Sequence, residues 1–241
     1  MDNKTIFQEK NTRLTTNNTD LKSILTIINN LPPANGSSDN GEAVGTIIDR
    51  TITELINNDA TKVGEYALRS CTKLETVDLP NATSVGQYAF QGCSVLASVN
   101  LPSVTSISQY AFNQCIKIKE MSLPEVTTIS SNAFRDTQYM EILDLPKLTS
   151  IPANGFYGCR GLKALILRSN TLVTLANTSA FTTCYRILGT KNSGFNPNGE
   201  KIGFFYVPKA LIEDYKVATN WSDSSLVTQF RAIEDYPDIC G

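Results

Sequence analysis

The amino-acid sequence predicts an α+β repeat solenoid: a right-handed superhelix with a parallel sheet of short strands on one face, short helical turns on the other, and a C-terminal cap. Three observations carry that prediction. Cys71, Cys93 and Cys115 stand 22 residues apart, Cys159 follows two periods later, and Thr137 fills the skipped position. The apolar columns Val63, Val85, Ile107, Ile129, Ile151 and Leu68, Phe90, Phe112, Phe134, Phe156 keep the same spacing. So do Pro80, Pro102, Pro124 and Pro146, which close successive copies.

Each copy has two halves. The stretch Leu74 to Pro80, repeated at Leu96 to Pro102, alternates inward and outward over its second half, which is the period of a strand. Proline closes it because it lacks a ladder donor and fixes φ where the chain leaves the sheet. The opposite half, Val85 to Cys93, places Ala89 beside Phe90 with a small residue three further on, and this predicts a short helical or 3₁₀ turn that buries Ala89, Phe90 and Cys93. One copy alone cannot fold. Burying five or six side chains gains roughly 1.5–3 kcal/mol each, while ordering the backbone costs about 1–2 kcal/mol per residue. Stacking removes the deficit because each rung covers the apolar faces of its neighbours.

The pattern Leu-x-x-Leu-x-Leu-Pro followed by Ile-x-x-x-Ala-Phe-x-x-Cys resembles the BspA-type, or treponemal, leucine-rich repeat family over about residues 44 to 236. The resemblance implies adhesins and surface-exposed interaction proteins of bacteria, some phages and protozoa, and hence an extracellular, cell-surface or particle-associated setting. It also implies that a Tyr206-Val207-Pro208 strand, a short helix with Asp214-Tyr215-Lys216 and a Trp221 segment form a C-terminal cap. The resulting division is an N-terminal helical arm and linker (1–41) and a leucine-rich-repeat solenoid (42–241). The solenoid comprises a half-rung N-terminal cap (42–60), about six rungs of period 22 (61–208) and a C-terminal cap (209–241). In the sixth rung a Gly/Asn-rich insertion, Gly189 to Gly203, carries the turn chemistry of Asn196-Pro197-Asn198-Gly199 and predicts a surface hairpin or loop. Trp221 is expected to close the core; stacking on a ligand is the alternative.

The arm has Leu21, Ile24, Leu25, Ile28 and Leu31 at helical spacing, capped by Asn18 or Thr19 and stopped by Pro32-Pro33. Phe7, Leu14, Leu21 and Ile28 also fall seven apart, which points to homo-oligomerisation through residues 5–31; a helix that docks on the solenoid or frays is the alternative. Residues 1–10 lack the apolar segment of a secretory signal, and no apolar run is long enough to span a membrane. The chain as written is therefore expected to stay inside the cell, to leave by lysis or another system, or to have lost its leader.

Composition narrows the chemistry. There are 21 Lys+Arg against 23 Asp+Glu, a net charge of −2, which leaves no electrostatic footprint for nucleic acid or membrane. The chain has no histidine, the usual base for Ser or Cys nucleophiles and the commonest metal ligand. No Cys pair has zinc spacing, and no phosphate loop or calcium loop is present, so no catalytic, cofactor-binding or metal-ligating residue is assigned. The carboxylate pairs Glu213-Asp214 and Glu234-Asp235 read as solvated charge, with glycoside hydrolysis the alternative. The six cysteines read as buried free thiols, although stacking would make a disulfide geometrically conceivable.

What remains is the outward face of the sheet. Its two columns are Thr76, Ser98, Glu120, Ile142, Ala164 and Asp78, Asn100, Ser122, Asp144, Ile166, polar toward the N-terminal rungs and apolar at the other end. This is the candidate face for a partner, a protein or a cell-surface glycan, in a non-enzymatic binding module. The alternatives are a merely solvated face with its apolar end covered by the insertion around Phe195, and a particle-associated structural protein that contacts a host.

Overall fold

In the computed structural model, residues 53–240 are described, so the predicted arm, its oligomer contact and most of the half-rung lie outside the described residues. Each rung contributes one strand of three or four residues to a first parallel sheet: β1 (Glu54–Ile56), β2 (Thr76–Asp78), β4 (Ser98–Asn100), β6 (Glu120–Ser122), β8 (Ile142–Asp144), β10 (Ala164–Ile166) and β12 (Phe204–Val207). A second, two-residue strand follows in each rung, after a proline turn for β3 (Ser84–Val85), β5 (Ser106–Ile107), β7 (Thr128–Ile129) and β9 (Ser150–Ile151), and after Arg168 in place of the proline for β11 (Thr174–Leu175). This second set was not foreseen, because two residues are too few to show an alternation.

Register follows the period. Val77 pairs with Val99, Met121 with Leu143, and Leu143 with Leu165, so every inward residue sits on its counterpart one rung away. Strand pairing is interrupted twice, although across the second gap the Thr149 N–H still donates to Thr127 O. The first sheet divides into β1-β2-β4 and β6-β8-β10-β12-β13, the last strand being β13 (Phe230–Ala232); the second divides into β3-β5-β7 and β9-β11. The interruptions fall at different rungs, so each sheet runs unbroken across the other's gap and the stack stays continuous.

The third side consists of consecutive tight turns rather than the predicted helical turn. Its backbone N–H groups alternate between targets: Ala89 donates to Gly86 within the rung, Phe90 to Ala111 in the next, Gln91 back to Tyr88, and Gly92 across to Asn113. A helix would direct every donor along its own axis and leave the rungs unlinked. The alternation needs left-handed residues, and they recur in two columns: Tyr66, Tyr88, Tyr110, Asn132, Asn154 and Ser70, Gly92, Gln114, Asp136, Gly158, all with φ between 55 and 76°. Glycine and asparagine adopt this region readily, whereas three tyrosines are held there by the ladder and by parallel stacking at 5.0 Å. Only the sixth rung forms helical turns, a 3₁₀ segment at Thr178–Phe181 and α1 (Tyr185–Leu188).

Inside, Phe90, Phe112, Phe134, Phe156 and Phe181 stack with centroids 5.1, 5.5, 5.8 and 5.7 Å apart. All six cysteines are buried and unlinked. Their role is more than packing. The thiols of Cys93, Cys115, Cys159 and Cys184 donate to the carbonyls of Leu68, Phe90, Phe134 and Phe156 in the preceding rung at 3.0, 3.0, 3.1 and 3.1 Å. Thr137 substitutes a hydroxyl, donating to Phe134 O at 2.8 Å and meeting Cys159 Sγ at 3.1 Å.

Burial pushes the Cys159 thiol up to about 12 from an ordinary 9.0 and raises Cys115 and Cys184 as well. The native chain therefore keeps protons that the unfolded chain releases. This contribution to stability is fully present below about pH 9 and is lost as pH rises toward the native value. The urea midpoint should fall as pH rises from about 9 toward about 12, and the fall should be smaller in Cys159→Ala; an unchanged midpoint would contradict the assigned burial.

The cap follows β12, with a 3₁₀ turn at Lys209–Leu211, α2 (Ile212–Val217) and β13, which adds a strand to the first sheet. It closes the solenoid by supplying partners to orphaned backbone. Val173 has its N–H bound to Tyr215 Oη at 2.9 Å, and its carbonyl accepts from Trp221 Nε1 at 2.7 Å. Asn220 donates to Leu175 O, and Gln229 donates to Ile187 O and Gly203 O. Trp221 is buried among Phe181, Phe205, Tyr215 and Phe230, which settles its role as structural. The insertion is pinned by Asn196, buried, whose amide donates to the carbonyls of Tyr185, Thr190 and Glu200 while its oxygen accepts from Glu200 N–H.

Candidate functional site

The outward columns are built by the strand alternation: Val77, Met121, Leu143 and Leu165 point into the core, so their neighbours on each strand point away. Ser98, Asn100, Glu120 and Ser122 are exposed, and Thr76, Asp78, Ile142 and Asp144 are half-buried. The columns span both segments of the first sheet, so β4 and β6 carry their neighbouring side chains across the interruption. Asn100 Nδ2 donates to Asp78 Oδ1 at 2.8 Å, which orients both toward one rung. On the flank, Lys163 hydrogen-bonds Glu141 at 2.8 Å and Arg186 lies 3.4 Å away; the lysine contact holds the Glu141 carboxyl below its ordinary value.

Two of the predicted face residues are not available. Ala164 and Ile166 are 3% and 1% exposed, because the segment Ile233–Cys240 folds back across them. The sequence reading had them facing a partner, but an outward apolar pair next to Phe204 and Tyr206 gains more from burial against the chain itself than from solvation. Nor does the insertion cover them: Phe195 packs instead on Tyr139, centroids 5.3 Å apart.

The residue that sequence reasoning missed is Arg168. It stands one period after Pro146, where the proline column ends, and that break was the available signal. Its guanidinium pairs with both Asp144 oxygens, Nε at 3.3 and 3.2 Å and Nη2 at 3.0 Å to Oδ2, and Nη2 also donates to the Cys240 carbonyl. At the sheet edge Arg231 lies over the Phe204 ring at 4.0 Å and donates to the carbonyls of Thr228 and Phe230. It thereby blunts the open edge of β13 against strand addition. Among the described residues no group of three or more His, Cys, Asp or Glu could hold a metal ion, and no helix is long and apolar enough to cross a membrane.

The BspA type leucine rich repeat region matches residues 51–163 in six copies. Among solved structures, a leucine rich cell surface protein from Faecalibacterium prausnitzii is 22% identical over 65% of this chain and 37% of its own, with a TM-score of 0.47. The leucine rich repeat protein of T. pallidum is 28% identical over 52% of this chain and 71% of its own, at 0.42. The pneumococcal vaccine antigen PcpA is 14% identical over 75% of this chain and 40% of its own, at 0.49. This chain thus spans well under half the length of the first and third. No curated protein matches it. The stacked Phe column, the Cys and Thr137 column and the six matched copies agree, and residues 51–163 match the BspA-type leucine-rich repeat family.

Proposed function

We propose that the chain is a non-enzymatic binding module that engages a protein partner through the outward face of its first sheet, in the manner of an adhesin. The observation that carries this reading is the face itself. Rung after rung presents side chains at Thr76, Ser98, Glu120, Ile142 and at Asp78, Asn100, Ser122, Asp144, two per strand, on a scaffold whose inward residues are buried. A rigid array of short polar side chains ending in a half-buried isoleucine suits a protein surface of mixed polarity. The family resemblance supports an extracellular or particle-associated setting.

The test is site-specific photo-crosslinking. A photoreactive residue at Ser98 or Ser122, with one at Ser108 on the turn side as control, is exposed to surface proteins of candidate host and neighbouring cells. A species captured from both sheet positions and not from Ser108, and lost in Glu120→Lys, supports the reading. Capture from Ser108 alone, or from no position, overturns it.

A further inference from the structure

Resting on the binding face proposed above, we infer that the segment Ile233–Cys240 is a displaceable strap that occupies the apolar end of that face and yields it to an acidic, amphipathic peptide segment of a partner. The strap comprises a 3₁₀ turn at Ile233–Asp235 and α3 (Pro237–Cys240). It covers a cluster of Ala164, Ile166 and Tyr206, joined by Ile142 and Phe204, and it does so with few side chains: Cys240, half-buried Ile233, and Tyr236 edge-on to Tyr206 at 5.4 Å. Every residue from Glu234 to Ile239 is exposed. A four-residue helix has no stability of its own, so its attachment depends on what it touches.

The polar attachments are equally few, and they define the partner. Arg168, clamped by Asp144, donates to the Cys240 carbonyl. The Glu234 carboxylate accepts from the Lys209 N–H at 3.0 Å, and Asp235 pairs with Lys209 Nζ at 3.3 Å, both at the surface where such pairs contribute little. The sheet thus offers an apolar patch bounded by Arg168 and Lys209, and the strap answers with Ile233, Cys240, Glu234 and Asp235. A partner segment with the same apolar and acidic pattern meets the same groups. When the strap lifts, Ile142, Ala164, Ile166, Phe204 and Tyr206 join the columns from Thr76 to Asp144 as one surface, adding an apolar anchor to a polar face.

Cys240 reports the opening. It is the one cysteine in the strap, and Cys71, Cys93, Cys115, Cys159 and Cys184 report the rungs. The full chain is treated with iodoacetamide under native conditions and each thiol is followed by mass spectrometry. Cys240 should react well ahead of the other five. Arg168→Ala should accelerate it at least about tenfold, the size of losing a charge-assisted hydrogen bond, and Asp144→Asn should act in the same direction, while the rung thiols stay protected. A synthetic peptide of residues 232–240 carrying Cys240→Ala, at millimolar concentration, should accelerate Cys240 saturably, and the same peptide with Ile233→Asp should not.

Three results overturn the inference. Cys240 reacting as slowly as Cys159 in all variants makes the segment a fixed part of the cap. All six thiols accelerating together makes the opening global. Acceleration by Arg168→Ala without acceleration by the peptide removes the partner. None of these readouts uses the crosslinks at Ser98 and Ser122, so failure of the strap and failure of the binding face are told apart.

Discussion

Replacing Phe112 by alanine is expected to destabilise the chain by about 3–5 kcal/mol, the cost of a large core truncation. The ring is fully buried in the central rung, between Phe90 at 5.1 Å and 11° and Phe134 at 5.5 Å and 3°. Its backbone is fixed on both sides, Phe90 N–H donating to Ala111 O and Phe112 N–H to Ala133 O, so the neighbouring rungs cannot collapse into the space. Because a solenoid is held by contacts between neighbours, a cavity here weakens two interfaces at once. The check is the urea midpoint with its slope. A loss below about 1 kcal/mol would mean that the Phe column does not carry the stack.

Replacing Trp221 by alanine should cost a similar amount, about 3–5 kcal/mol, for a different reason. The indole is 1% exposed, and it is the centre of the cap, meeting Phe181, Phe205, Tyr215 and Phe230 at centroid distances of 6.0, 5.0, 5.5 and 5.6 Å. It also satisfies the Val173 carbonyl, which truncation leaves buried without a donor. Trp221→Phe separates the two contributions: it retains most of the ring contacts and loses the hydrogen bond, so its loss should be nearer 1–3 kcal/mol, roughly what an unsatisfied buried acceptor costs. Equal losses in the two variants would show that the hydrogen bond, and not the ring cluster, dominates.

Much of the scaffold was legible because stacking turns a linear period into a column. The Phe, Cys and Leu positions recur at 22 residues, and each proved to lie above its counterpart. Trp221 was anticipated through the family resemblance, which implies a Trp segment that closes the open end of the core. The turn side was less so. Ala89-Phe90 has the composition of a helical turn, and only the alternation of its N–H groups between rungs, with Tyr88 and Gly92 at positive φ, excludes a helix. Local sequence does not show where a donor finds its acceptor 22 residues away.

The candidate face was readable for its polar part and misread at its apolar end. Period and alternation place Ala164 and Ile166 outward, and they are outward with respect to the sheet. What lies beyond the sheet depends on a segment about seventy residues later whose path no local pattern encodes, held there by the Arg168 and Asp144 clamp on the Cys240 carbonyl together with the Lys209 and Tyr206 contacts.

The sequence by itself therefore determined the rung, its inward and outward residues, and the need for a cap, because these follow from burial and a repeated spacing. Tertiary structure decided the turn conformation, the thiol hydrogen bonds, the two staggered sheet interruptions and which outward residues remain open. Each of those is set by groups far apart in the chain that meet only once the rungs have stacked.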